Sequence, residues 1–408
     1  MEKKNAKIDR RNFLKTVGAA GLGSVLASAE TNAADPSPST KTEESKPPQV
    51  PKRKLGKTGV EVSCLALGTI FNVLENQILL RKSLQWGVTY WDTAHGYTGG
   101  NSELGIGKYL TKNPDVRKEL FIVSKASGAR TVADVEKRLQ TSLKRMNTNY
   151  IDLYYGVHGL DDAAQLTNEL KKWAEDAKKR KLIRFFGFST HDNMAECLTA
   201  AAKLDWIDAV MPSYNFRLMQ DDKMQAAIEA CHKAGIGLIA MKTQAKEIKT
   251  KEDKELAEHF LQRGFTEGQA KVKIVLEDKR ISSACVGRDN LTHLQLNIAA
   301  VLDKTKLTQA DMNVLKEYAQ ATCSGYCAGC GYICGSVVPD TPYVSKVMRY
   351  LMYYNSYGEQ KEARELFTKI PQKVRDKLLS VDYSQAEARC PQNLPIGRLM
   401  AEAVSKLA

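Results

Sequence analysis

Beyond its N-terminal stretch this 408-residue chain has no uncharged apolar run of 18 or more residues, so no membrane-spanning helix is expected in the mature protein. It also lacks any motif of a nucleic-acid-binding module, although 60 Lys and Arg against 47 Asp and Glu give it a net charge of +13. The basic residues are spread among the acids along helix-like stretches, as expected of solvated faces rather than a nucleic-acid footprint. Apolar material is ample. With 43% hydrophobic residues the chain can bury a large core, and its length allows two or three domains.

Eight short apolar runs bounded by turn residues occur at Cys64–Gly68, Val88–Ala94, Phe121–Ala126, Asp152–His158, Phe185–Thr190, Ala209–Asn215, Gly237–Thr243 and Ile281–Gly287. Between them lie stretches of helical period such as Thr131–Met146, Asp161–Lys181 and Gln220–Ala234, the pattern of parallel strands joined by crossover helices. Eight such runs predict an α/β fold, a (β/α)8 TIM barrel, over residues 52–305. Residues 306–408 read as a small helical extension, with helices expected at Val344–Tyr354, Glu359–Lys369, Lys373–Leu379 and Ile396–Leu407. The Tyr350–Tyr354 run within it is expected to be core.

In a TIM barrel the reactive groups gather where the strands end, at the C-terminal face. Asp92, Lys125 and His158 fall at the ends of the second, third and fourth runs, and Tyr97 follows just after Asp92. A Tyr can hand over a proton near neutral pH only if its pKa of about 10 is lowered or the proton is relayed, and a neighbouring Lys and His can do both. Asp92 can hold that Lys charged. Such a group suits protonation of an oxygen that becomes an alkoxide as hydride reaches a carbonyl carbon.

These residues sit in Trp91-Asp-Thr-Ala-His-Gly-Tyr97, Val123-Ser-Lys125 and Tyr154-Tyr-Gly-Val-His158, with Asn101-Ser-Glu-Leu-Gly105 after the Tyr. Together with Arg53-Lys-Leu-Gly-Lys-Thr-Gly59 and Leu65-Ala-Leu-Gly-Thr69, they resemble the aldo/keto reductase superfamily over about residues 51–303. The resemblance implies a nicotinamide dinucleotide, NADP or NAD, lying across the barrel mouth against Gly68, Thr69, Ser189, Gly287, Arg288 and Asn297. Phosphate would meet backbone N–H groups and the start of the helix after Gly287. The chain departs from the family pattern at Thr190, where an Asn is usual, at Met211, where a Gln commonly holds the carboxamide, and at Met241, where an aromatic ring often stacks. Arg288 suits a 2′-phosphate and inclines the reading toward NADP.

Residues 1–34 read as a targeting segment. Asp9-Arg10-Arg11-Asn12-Phe13-Leu14-Lys15 precedes a Gly- and Ala-rich stretch, Thr16–Ala27, and small residues follow at Ala27-Ser-Ala29 and Thr31-Asn-Ala33. This is similar to a bacterial twin-arginine export signal, which implies a periplasmic mature protein and a route open to already folded proteins. Residues 35–51, rich in Ser, Thr, Lys and Pro, read as a flexible linker.

Of nine cysteines, Cys64, Cys197, Cys231 and Cys285 are scattered through the barrel and read as buried apolar residues. The other five lie beyond it, as Cys323-Ser-Gly-Tyr-Cys327-Ala-Gly-Cys330-Gly-Tyr-Ile-Cys334 and Cys390-Pro391. Thiolates so closely spaced can converge on one cluster, and a distant Cys-Pro can complete it as in bacterial ferredoxins, which favours one [4Fe–4S] centre. A second centre would need cysteines shortly before Cys390, where Ser380, Tyr383 and Ala386 stand. The stretch also resembles the C-terminal extension of iron–sulfur aldo/keto reductases, which implies Cys327, Cys330, Cys334 and Cys390 as ligands. Cys323 in place of Cys334, a four-Cys zinc site and disulfides remain open alternatives.

Two functions from different classes follow. The first is an NAD(P)-linked oxidoreductase acting on a small-molecule carbonyl or alcohol, with the cluster as electron port and a redox protein as partner. The second is a non-catalytic barrel exported as a binding or electron-transfer scaffold.

Overall fold

The computed structural model describes residues 47–244, 251–287, 290–339, 341 and 343–408; the expected targeting segment, most of the expected linker and Arg288 lie outside them. The chain opens with a two-stranded antiparallel hairpin, β1 (Lys52–Lys54) and β2 (Glu61–Ser63). Eight parallel strands follow: β3 (Leu65–Gly68), β4 (Tyr90–Asp92), β5 (Phe121–Lys125), β6 (Ile151–Leu160), β7 (Ile183–Thr190), β8 (Ala209–Pro212), β9 (Gly237–Ala240) and β10 (Ile281–Val286). They close into a barrel in sequence order, with β10 pairing back onto β3. All eight expected runs are strands.

Their composition explains this. A strand lined by side chains inside the barrel and covered by helices outside is buried on both faces, so it reads as a nearly unbroken apolar run. All five residues of β5, Phe-Ile-Val-Ser-Lys, are buried. Inward-facing Ala66, Tyr90, Val123, Leu153, Tyr155, Ala209, Met211 and Ile239 form the inner core, and the hairpin adds Leu55 and Val62 at the barrel's base. The crossover helices are fixed by local signals. The helix Val132–Arg145 starts in a capping box between Thr131 and Asp134, and Glu267–Glu277 starts in one between Thr266 and Gln269.

Beyond the barrel, Gln309–Ala321 packs against Lys251–Gln262. The helix Val344–Met352 packs on Ile396–Leu407 and runs on into a π-helical turn, Tyr353–Tyr357. Gln360–Thr368 lies where a helix is expected, but Lys373–Leu379 is reduced to the short turn Gln372–Arg375, held by Pro371 and few buried residues. Among the described residues no helix is long and apolar enough to cross a membrane.

The extension lies over the C-terminal ends of β6 to β9. At the end of β7, Asn193 adopts a left-handed conformation, φ 48°, that lets its backbone N–H donate to Gly329 O at 2.6 Å while its Oδ1 accepts from Tyr332 N at 2.9 Å. Gly329 is required there. Its φ is 78°, and a Cβ would sit 2.3 Å from the carbonyl oxygen of His191. Farther round the mouth, Arg217 donates to Ala319 O and Thr322 Oγ1, Lys346 pairs with Asp161 at 2.5 Å, and Lys242 faces Glu359 at 3.4 Å.

Candidate active site and cysteine pocket

Asp92 and Lys125 end adjacent strands, β4 and β5, so their side chains leave the barrel side by side. Lys125 Nζ donates to Asp92 Oδ1 at 2.5 Å, to Thr93 O at 2.8 Å and to the Tyr97 hydroxyl at 3.4 Å. Both charged groups are almost wholly buried, Lys125 at 1% and Asp92 at 2% exposure. Burial alone would lower the pKa of Lys125, but Asp92 and Tyr97 outweigh it and keep the ammonium charged.

Burial dominates at Tyr97 and raises its pKa above 10, with Lys125 opposing the rise without cancelling it. Lys125 thus acts on this phenol in the expected direction, but burial outweighs it in the resting site. The ammonium can stabilise a phenolate only as charge develops. His158, near the end of β6, lies with its ring 6.0 Å from that of Tyr97. Burial and the Lys125 charge push its pKa down to about 3, so it is neutral. Its Nδ1 meets Ser127 Oγ at 2.8 Å. Ser127 Oγ already accepts from Gly96 N, which leaves its proton for Nδ1 and favours the tautomer with the imidazole proton on Nε2.

The segment after Tyr97 latches this arrangement. Ser102 Oγ contacts the Thr69 and Thr93 hydroxyls, each at 2.7 Å, while buried Glu103 accepts from Ser124 Oγ at 2.7 Å and from Arg145 at 3.1 Å. The ends of β3, β4 and β5 are thus tied to one helix. Cys285, read as a buried apolar residue, is instead only partly buried and bears on Asp92, Lys125 and Tyr97 alike. Cys64, Cys197 and Cys231 are buried as expected.

Of the residues implied for dinucleotide binding, Arg288 lies outside the described residues, and the others are partly engaged already. Gly68 and Gly287 face each other across β3 and β10, where a Cβ on Gly287 would lie 2.9 Å from Gly68 O, so the pair lets the two backbones pack closely at the rim. The Thr69 hydroxyl donates to Asp92 O at 2.8 Å, Ser189 Oγ accepts from Gly159 N at 3.1 Å, and Asn297 Oδ1 accepts from Gln244 Nε2 at 2.9 Å. The helix Leu291–Leu302 is capped by its own Asn290, whose side chain accepts from His293 N.

In the extension, Cys327, Cys330, Cys334 and Cys390 line one pocket of about 350 Å³ whose other walls are mainly apolar, among them Ile333, Val344, Met348 and Ile396. Cys323 does not line it. All nine cysteines are free, and among the described residues no group of three or more His, Cys, Asp or Glu converges closely enough to hold a metal ion. Burial pushes the Cys330 thiol up to about 12 and that of Cys334 to about 11, and raises Cys327 as well.

Cys327 also lines a second pocket, of about 240 Å³, between the barrel mouth and the extension. Its polar lining includes His191, Ser213 and Lys242, which follow β7, β8 and β9, and Arg349 and Tyr353 from the extension. None of these was singled out from the sequence. His191, Ser213 and Lys242 could have been, since each stands at or just past the C-terminal end of an apolar run, where a barrel places its mouth; Arg349 has no such signal.

A family model described as "Aldo/keto reductase family" matches residues 71–320. The chain is 24% identical over 326 residues to an L-glyceraldehyde 3-phosphate reductase of Escherichia coli O157:H7, covering 65% of this chain and 93% of that one. It is 29% identical over 211 residues to the NADP(+) aldo-keto reductase yakc of Schizosaccharomyces pombe, covering 47% and 60%. The chain spans about three fifths of the length of several such relatives. Among solved structures, an aldo-keto reductase of Bacillus halodurans in its holo form superposes with a TM-score of 0.56 at 20% identity, over 66% of this chain and 96% of that one, a likeness of fold.

Proposed function

The chain belongs to the aldo/keto reductase family, and on that premise we propose that it is an NAD(P)-linked oxidoreductase interconverting a small-molecule carbonyl and an alcohol, with Tyr97 as general acid and base. The observation that carries this reading is the chain of contacts from Asp92 through Lys125 to the Tyr97 hydroxyl, at 2.5 and 3.4 Å. A nicotinamide, when bound, supplies or accepts the hydride. The protein's part is the proton. As negative charge grows on the substrate oxygen, Tyr97 donates to it, Lys125 stabilises the phenolate left behind, and Asp92 keeps Lys125 charged and fixed. Neutral His158 is placed to donate its Nε2 proton in a hydrogen bond to the same oxygen.

Gly68, Gly287, Ser189, Asn297, Thr69 and Arg288 are the groups proposed to hold the dinucleotide. NADP is preferred over NAD because of Arg288, and the yeast relative's name carries the same cofactor.

The four pocket cysteines are proposed to hold one [4Fe–4S] cluster. Two features support this: the four thiols share one pocket, and its other walls are mainly apolar. The same pocket favours Cys334 over Cys323, and the free thiols speak against the disulfide alternative. Such a cluster, when bound, supplies one-electron transfer, and Cys327 would place it against the barrel mouth. A redox protein partner and export by the Arg10-Arg11 signal complete the proposal.

The test is anaerobically purified full-length protein titrated with NADPH. Quenching or shifting of nicotinamide fluorescence, together with aldehyde-dependent NADPH oxidation lost in Tyr97→Phe, is expected. Absence of both NADPH binding and turnover leaves the scaffold function in place.

A further inference from the structure

The pocket between the barrel mouth and the extension is lined by two cations, Lys242 and Arg349, and among the described residues one carboxylate, Glu359 beside the pocket, pairs with either. Arg349 is 6% exposed. Its one hydrogen bond goes to the Tyr353 hydroxyl, and among the described residues no carboxylate lies within ion-pair distance. The charge of Asp192 bears on it without an ion-pair contact, and the two oxygens of that carboxylate share the single Ser345 Oγ proton, at 2.9 and 3.2 Å. A guanidinium carries five donors in a planar fork, so Arg349 keeps donors with which to meet an anion entering the pocket.

Lys242 supplies the second cation from the opposite wall. Its backbone is in the left-handed region, φ 55°, a strained conformation for a non-glycine residue and one that recurs at functional sites. The ammonium lies 4.7 Å and 4.5 Å from the ring centroids of Tyr353 and Tyr357, with Glu359 at 3.4 Å as its partial counter-charge. Beneath them His191 touches Ser213 Oγ at 2.8 Å. The charged Lys125 is close enough to bear on it, so the floor of this pocket adjoins the Tyr97 site.

We propose that this pocket binds the anionic group, carboxylate or phosphate, of a small carbonyl substrate, with Arg349 forked onto it and Lys242 as second cation. The inference rests on the carbonyl-reductase reading of the barrel and deepens it. Arg349 and Tyr353 come from the extension, so the extension would set which carbonyl compounds the barrel accepts.

The experiment uses full-length protein purified anaerobically. Calorimetry with succinate and with inorganic phosphate measures anion binding without turnover. Kinetics compare succinate semialdehyde with butanal, which share a four-carbon aldehyde but differ in the carboxylate. Wild-type protein is expected to bind one or both anions and to show kcat/KM at least about tenfold higher for the semialdehyde. Lys242→Met and Arg349→Lys are expected to reduce that ratio by about tenfold, chiefly through KM, and to weaken anion binding while NADPH affinity, read by fluorescence, is retained. Lys242→Met is the cleaner variant should Arg349→Lys fail to fold. Loss of NADPH affinity with the ratio retained would assign the cations to the dinucleotide's phosphates and overturn the proposal. Equal kcat/KM for the two aldehydes would overturn it while leaving carbonyl reduction intact. Anion binding without reduction of either aldehyde would overturn the reductase reading and keep the anion pocket.

Discussion

Lys125 and Asp92 close a 2.5 Å ion pair at the ends of adjacent barrel strands, inside a site that admits almost no water to either. Two buried charges so placed are each other's main compensation, so the pair is the fixed point around which Tyr97 is arranged.

Tyr97→Phe removes the proton donor and keeps the ring. Turnover in carbonyl reduction is expected to fall by roughly 10² or more, with NADPH affinity little changed. Steady-state kinetics beside a fluorescence titration check both halves, and full activity in the variant assigns the acid elsewhere.

The ion pair predicts a coupled stability effect. Lys125→Met leaves the Asp92 carboxylate buried without its cation and is expected to cost roughly 3–5 kcal/mol. Adding Asp92→Asn removes the orphaned charge and should recover a substantial part of that loss. Urea unfolding of both single variants and the double variant measures the coupling; simple additivity of the two losses contradicts it.

The barrel and the reactive residues at its strand ends were legible in sequence for one physical reason. Strands buried on both faces must be apolar throughout, so a polar or charged residue at the end of such a run, like Asp92 or Lys125, stands out. The hairpin strand Lys52-Arg53-Lys54 carries no apolar signal and was not read as a strand. Cys285 looks like any small apolar residue, and only the closing of β10 onto β3 brings it against Asp92. Lys242 and Arg349 lie 107 positions apart, and nothing local to either foretells that the extension brings them to one pocket.

Neutral, partly buried histidines give a pH dependence of definite sign. The His158 pKa is lowered from about 6.5 to about 3, and those of His95, to about 4, and His191 move the same way. Below about pH 6.5 the unfolded chain takes up protons that the folded protein refuses. Stability is therefore expected to fall as pH drops from 6.5 toward 4, and His158→Phe should flatten part of that slope. Urea midpoints across this window test it, an unchanged slope in the variant showing that His158 is charged in the fold.

The proposed export rests on Arg10 and Arg11. Changing both to Lys keeps charge but alters the paired guanidinium signal, so the protein is expected to accumulate in the cytoplasm with its enzyme activity intact. Cell fractionation decides, and undiminished periplasmic delivery removes the targeting assignment.

The cysteine pocket gives a final prediction with two independent readouts. Cys390 is brought to Cys327, Cys330 and Cys334 from far along the chain, so a metal cluster held by all four would tie the last helix, Ile396–Leu407, to the loop after Gln309–Ala321. Binding free energy at such a site becomes folding free energy for whatever the ligands connect. Cys390→Ser is expected to lose the broad visible absorption of an iron–sulfur centre and to make residues 335–408 sensitive to protease while the barrel persists. Because Cys334 lines the pocket and Cys323 does not, Cys334→Ser should lose iron and Cys323→Ser should keep it. Iron analysis of the two variants separates them directly. Wild-type protein prepared without oxygen that contains stoichiometric zinc and no iron would show that the pocket closes on a single ion instead.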